Sequence, residues 1–149
     1  MNNKQGIIVG VAKLKGCSMS ARKMRLVTDI VRGLPIDKAL AILKFTRKEA
    51  AVWLYKLLQS AVANWRVNAQ KFDASVEPED SALIVGAIWA DQAPSLKRFQ
   101  PAPHGRAHRI RKHYCHATIE VINTVPVVSE QTATANTSAE ELDLTSTAE

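Results

Sequence analysis

Cysteine is scarce in this chain: two in 149 residues, Cys17 and Cys115, far apart and in no Cys-x-x-Cys pair. That excludes a disulfide-stapled scaffold, and two such thiols without a secretory leader read as free. Long apolar runs are missing too. The longest, around Ser81 to Ala90, falls well short of the roughly 20 residues a membrane span needs. The opening Met1 to Gln5 is polar and the next stretch is broken by Lys13 and Lys15. This is not a charged start followed by an apolar block and a small-residue cleavage site. A soluble, cytoplasmic protein with no membrane partner is expected. There is also no Gly-rich phosphate loop, nucleophile elbow or His-Glu-x-x-His run. The acids Glu77, Glu79 and Asp80 crowd one stretch and read as solvated. Neither an enzyme nor a cofactor is expected.

Acidic residues are unevenly placed. From Thr124 onward the chain holds five acids and no Lys or Arg; positions 1–123 hold 20 basic against 9 acidic residues, a net +11. So basic a domain implies a polyanionic partner, either nucleic acid or an anionic membrane surface.

What is present reads as one α+β domain over 1–123 and an acidic tail over 124–149. Gly6 to Lys15 mixes β-branched residues with lysines, the pattern of an edge strand. Ser20 can cap a first helix in which Met24, Val27, Ile30 and Val31 recur at helical spacing until Gly33 ends it. Pro35 suits the first turn of a second helix with Ile36, Ala39, Leu40 and Leu43 on one side. Thr46-Arg47-Lys48-Glu49 fits a capping box for a third. On that helix Ala50, Leu54, Leu57, Leu58, Ala61 and Trp65 form one face; with Val52, Trp53 and Val62 added, it should run through the centre of the core. Asp73 to Ser81 reads as an acidic loop. Leu83 to Trp89 and Ala117 to Ile122 read as strands around an irregular, projecting tip, about 93–106, with Pro94, Pro101, Pro103 and Gly105 inside it. Trp53, Trp65 and Trp89 fall on apolar faces and are expected in the core. The tail, Thr/Ser/Ala/Glu-rich with almost no large apolar residue after Val128, is expected to be disordered.

The informative stretch is Leu96 to His113. It holds six Lys or Arg (Lys97, Arg98, Arg106, Arg109, Arg111, Lys112) and three histidines, and no acid lies between Asp91 and Glu120. Arginine's planar fork pairs with phosphates and stacks on bases, and a projecting basic hairpin can enter a folded RNA. Arg22, Lys23, Arg25 and Arg32 form a second basic cluster on the first helix. Most charge runs are solvated faces; the uninterrupted sign favours nucleic acid here without separating RNA from DNA. Zinc is the competing chemistry, through His104, His108, His113, Cys115 and His116. It wants four converging ligands. If the stretch is a strand, His113 and Cys115 face one way and His116 the other, so no metal is expected. A DNA-binding helix-turn-helix needs a polar recognition helix, and the third helix is too apolar to lie in a groove. A generic RNA-binding or RNA-chaperone protein stays open on composition alone.

Five segments carry a resemblance: Ser20 to Gly33; Ala39 to Thr46; Lys56 to Asn64; Pro94 to Phe99; and Gly105 to Lys112. In this order and spacing, from about Gly6 to Val121, the chain resembles the bacterial-type ribosomal protein L twenty-two family. The resemblance implies three helices packed on a small three-stranded antiparallel sheet, with a long protruding hairpin. It implies a structural constituent of the large ribosomal subunit that binds large-subunit ribosomal RNA and aids its assembly. Its partners would be that RNA, neighbouring ribosomal proteins and the nascent polypeptide. Leu96, Lys97, Arg98, Gly105, Arg106 and Ala107 would line the peptide exit tunnel, and Arg109, Arg111 and Lys112 would lie on RNA. The family's tip is usually richer in arginine; this chain has Gln100, Ala102, Pro103 and His104 there.

Overall fold

A computed structural model describes residues 7–71 and 83–124. The elements run β1 (Val9–Cys17), α1 (Ala21–Val31), α2 (Ile36–Phe45), α3 (Glu49–Gln70), β2 (Leu83–Pro101), a one-turn 3₁₀ segment (Pro103–Gly105) and β3 (Ala107–Asn123). The fold is α+β, three helices on a three-stranded antiparallel sheet of order β1-β3-β2. The acidic loop expected over Asp73–Ser81 and the disordered tail expected beyond Thr124 lie outside the described residues.

The helices cover one face of the sheet. Gly10, Ala12 and Leu14 of β1 align with Val121, Ile119 and Ala117 of β3 and with Val85, Ile88 and Ala90 of β2. Against this face pack Met24, Val27 and Val31 of α1, Ala39 and Leu43 of α2, and Leu54, Leu58, Ala61 and Trp65 of α3, all buried. A Cβ on Gly10 would stand 2.5 Å from both the Ala61 carbonyl oxygen and Trp65 Cβ. The lack of a side chain there lets α3 lie directly on β1.

Both edges of the sheet bond to the helical layer, β1 through helix side chains and β2 through the backbone of the α1–α2 connection. On β1, Asn64 Nδ2 donates to the Val11 carbonyl at 2.8 Å, Asn68 Nδ2 to that of Val9 at 2.9 Å, and Trp65 Nε1 to that of Ile8 at 3.1 Å. Residues four apart on a helix lie on one face, a spacing that matches alternate carbonyls of an extended strand. On β2, Gly33 N–H donates to the Val85 carbonyl at 3.0 Å and Val85 N–H to that of Leu34 at 2.9 Å. Open strand edges invite non-native pairing; here the exposed acceptors are already used.

Several local expectations are corrected. Thr46 does not cap α3. It ends α2, its Oγ1 donating to the Ile42 carbonyl at 2.7 Å, and α3 begins three residues later, at Glu49, behind Lys48 with no side-chain cap. The hydroxyl is spent on the preceding helix. Ser20 and Pro35 stand at the N-caps of α1 and α2, neither making a side-chain cap bond; Pro35 thus lies just outside its helix. Trp65 is fully buried, but Trp53 and Trp89 are each 38 % exposed, and Ile30 and Val52 are exposed as well. An α3 that is apolar nearly all round is not central: it lies on one face of the sheet, and its outer side faces solvent.

The largest correction concerns 93–106. It does project as a hairpin, but it is paired strand rather than an irregular tip. β2 and β3 stay paired from Ala93↔Tyr114, across one shift of register, through Leu96↔Lys112 to Pro101↔Ala107. Pro94 fits because Pro94 and Ser95 oppose the single residue His113, a bulge where the ladder skips, and a residue without an N–H is tolerated there. Pro101 occupies the last row. Only 102–106 turns.

Candidate nucleic-acid interface

β1 ends at the Cys17↔Cys115 row; beyond it β2 and β3 continue alone as a two-stranded arm. At about 3.3 Å per residue the arm from Ala93 to Pro101 is roughly 25 Å long. Directly opposed residues share a face of a ribbon. One face therefore carries Lys97 with Arg111, Phe99 with Arg109, and Pro101 with Ala107. The other carries Leu96 with Lys112, Arg98 with Ile110, and Gln100 with His108. All are exposed, Phe99 by 70 %.

The electrostatics of the arm are one-sided. Lys97 and Arg111 are like charges directly opposed, a pairing that weakens a sheet. Among the described residues the ion pair present is Arg32–Asp29 at 3.0 Å, on α1; none lies on the arm. Arg98 Nη1 donates to the Lys97 carbonyl at 2.8 Å, which holds its guanidinium against the ribbon. The arm has no core to order it, and no acid lies along it between Asp91 and Glu120. A polyanion laid along it would relieve the repulsion, and Phe99, beside Arg109, offers a face on which a base can stack.

The turn joining the strands is built on two consecutive left-handed residues, His104 (φ 61°, ψ 32°) and Gly105 (φ 68°). This is the sign pattern of a type I′ hairpin turn. It is closed by Ala102 N–H donating to the Arg106 carbonyl at 2.8 Å. Glycine meets the requirement at the second position; histidine at the first does so against its steric preference.

The expected tunnel-lining set is divided by this geometry. Gly105, Arg106 and Ala107 stand at the turn, whereas Leu96, Lys97 and Arg98 occupy rows nearer the root. The two groups are therefore separated by roughly 10–20 Å along the arm.

The second basic cluster also divides. Arg22 and Lys23 are exposed. Arg25 donates from Nε and Nη2 to the Ala90 carbonyl at 3.0 and 2.8 Å, and Arg32 donates from Nη2 to the Ile88 carbonyl at 3.1 Å. Both guanidiniums thus bind the outer edge of β2 and dock α1 on the sheet. Sequence reasoning gave these arginines a phosphate partner and missed the backbone one. The signal that could have found it is their spacing of seven, two turns on one helix face, beside a strand that needs its edge covered.

Among the described residues no group of three or more His, Cys, Asp or Glu side chains converges on a metal-sized site. Cys115 is buried on the helix side of the sheet, whereas His116, on the opposite side, accepts the Gly16 N–H at Nδ1 at 2.9 Å. Both cysteines are free. A half-open groove of about 610 Å³ between α2, α3 and the start of β2 is lined mainly by Pro35, Ile36, Leu40, Val62, Ile84 and Arg66. It offers no nucleophile–base pair. No described helix is long and apolar enough to cross a membrane.

A projecting ribbon with cations on both faces, on a helix-covered antiparallel sheet, is the arrangement the resemblance implied. The family model described as "Ribosomal protein L22p/L17e" matches residues 12–122. The chain belongs to that family. It is 52 % identical to the protein named "Large ribosomal subunit protein uL22" of Christiangramia forsetii over 111 residues, 74 % of this chain and 79 % of that one. The proteins of the same name from Flavobacterium psychrophilum and Porphyromonas gingivalis are 49 % and 47 % identical over 111 and 110 residues, each match covering 74 % of this chain and 78 % of the relative. The family match begins within β1 and ends within β3, so it takes in all three helices and the whole arm.

Proposed function

We propose that this chain is a structural constituent of the large ribosomal subunit in the cytoplasmic ribosome. It binds large-subunit ribosomal RNA through its arm, aids assembly of that RNA, and presents its turn to the nascent polypeptide in the exit tunnel. The observation that carries this is the arm itself. Its cations occupy both faces, Lys97 opposes Arg111, and no acid of the arm answers them. Phosphates would supply the missing counter-charge. In this reading Lys97, Arg98, Arg106, Arg109, Arg111 and Lys112 are RNA-contacting residues of the arm, with Arg22 and Lys23 contacting RNA from α1. Arg25 and Arg32 hold α1 to β2 and offer RNA only the donors that docking leaves over. Gly105, Arg106 and Ala107 meet the tunnel lumen, while Leu96, Lys97 and Arg98 line the wall nearer the root. Family membership favours this reading over a generic RNA-binding or RNA-chaperone protein. It assigns the chain no catalytic step.

The test is sedimentation of a lysate containing the chain at low and moderate salt. The chain is expected with large subunits and to remain there through a moderate salt wash. Recovery in the free-protein fractions at low salt would overturn the assignment.

A further inference from the structure

Cys17 and Cys115 stand almost a hundred positions apart in sequence, yet they are register partners on adjacent antiparallel strands, in the last row that β1 makes. Both side chains are buried, Cys17 at 6 % and Cys115 at 0 % exposure. Directly opposed residues of an antiparallel pair have Cα atoms about 4.5–5.5 Å apart, inside the span of about 4.4–6.8 Å that a disulfide bridges. Nothing else in the chain competes, since these are its two cysteines. We infer that Cys17 and Cys115 form an oxidisable dithiol, a modification site that closes to an intrachain cross-strand disulfide with a small disulfide of the glutathione class. Neither the family nor the basic arm requires it, so it stands apart from the ribosomal reading.

The surroundings assign an order to the two sulfurs. Cys17 ends an edge strand, whereas Cys115 lies in the central strand. Beside Cys17, Gly16 is exposed in the left-handed region (φ 68°), with nothing within 4 Å of where a Cβ would stand. The register also slips between Leu14 and Cys17. That end of β1 is held by Gly16 N–H on His116 Nδ1 and Met19 N–H on the Cys17 carbonyl, at 2.9 and 2.8 Å. Fraying of this end of β1 would bring Cys17 to solvent before Cys115, which lies in the central strand. Burial raises both thiols above their usual range, Cys115 to about 11. The edge position and the slipped register make Cys17 the attacking sulfur, and the burial that raises both thiols makes the reaction slow at neutral pH.

The step balances as ordinary exchange. The Cys17 thiolate, its proton released to water, attacks one sulfur of the reagent; the reagent's S–S bond breaks and one reagent thiol leaves. Cys115 then loses its proton and attacks the Cys17 sulfur of the mixed disulfide, and the second reagent thiol leaves. Two protein thiols are oxidised and one reagent disulfide is reduced to two thiols. The product pins the end of β1 to β3 at the root of the arm.

The test equilibrates the full chain with mixtures of oxidised and reduced glutathione, in native buffer and in urea, and reads the intrachain disulfide by intact mass and by the cross-linked peptide. Two thiols held opposite one another have a far higher effective concentration than the same thiols at the ends of a long flexible loop. The equilibrium constant should therefore be at least tenfold larger in the native chain. Cys115→Ala should stop at a glutathione adduct on Cys17, and Cys17→Ala should leave Cys115 unmodified while folded. The wild-type comparison stands even if a variant fails to fold. An equilibrium constant no larger in native buffer than in urea, or oxidation yielding only dimers and mixed adducts, would overturn the inference.

Discussion

β2 and β3 run through two environments without a break. In the body they are covered on one face by three helices, and their neighbours in the sheet are themselves edge-protected. In the arm the same two strands continue with neither core nor cover, and cation opposes cation in the Lys97↔Arg111 row. The body is ordered by burial, from within the chain. Order in the arm is left to cross-strand backbone hydrogen bonds. Arginine shows the same contrast at the level of one residue type. Arg25 of α1 and Arg32 just beyond it each give part of their guanidinium to a β2 carbonyl; on the arm, Arg109 and Arg111 are exposed. Basicity alone therefore does not mark an RNA contact. A guanidinium with donors that the fold leaves unused is the one still open to a phosphate.

If the two regions are independent in this way, damage to each should read out differently. Trp65→Ala removes the largest fully buried side chain and its bond to Ile8, and should cost about 4 kcal/mol by urea unfolding. Gly10→Ala forces a methyl into the space held by Ala61 and Trp65, and about 2–3 kcal/mol should be lost. Neither should alter the salt dependence of RNA binding by the fraction still folded. A change of slope in these core variants would show that the arm leans on the body.

The opposite damage is Arg109→Gln, Arg111→Gln and Lys112→Gln together. Each lost phosphate contact should flatten the slope of log affinity against log salt by about 0.7–0.9, with the unfolding midpoint unmoved or slightly raised as the Lys97↔Arg111 repulsion disappears. A triple variant that binds as steeply as the parent would remove the arm as the anchor.

Arg25→Lys sharpens the line between the two kinds of arginine. Lysine keeps the charge but cannot offer the Ala90 carbonyl two donors from one planar group. Stability of the RNA-free chain should fall by about 1 kcal/mol, while the salt slope stays as it was. An unchanged stability with a flatter slope would return Arg25 to the phosphate-binding set. The smallest effect belongs to the turn. His104→Asn places a residue that favours the left-handed region where histidine now sits at φ 61°, and should stabilise the turn by about 0.5 kcal/mol. Slower amide exchange at Ala102 would report it; faster exchange would mean the histidine ring contributes something the turn geometry does not.

Much of the body could be read from the chain because periodicity is a local property. Met24, Val27 and Val31 recur at helical spacing, and all three are buried. Caps were harder to read. Thr46-Arg47-Lys48-Glu49 has the right residues, but a threonine hydroxyl can serve the helix before it as well as the one after, and only the packed chain decides which. From the sequence the arm reads as irregular because prolines usually break a strand. A ribbon lacking a third strand has edges and bulges where a proline costs no ladder bond, so Pro94 and Pro101 sit within pairing that composition argued against.

The sequence by itself determined the helix periods, the sign of the charge between Asp91 and Glu120, and the family. These depend on residue type and order along the chain. The tertiary structure alone decided which arginines are already occupied, how far Leu96 stands from the turn, and that Cys17 meets Cys115. Those depend on strand register, and register is set by how the whole sheet pairs and buries one face.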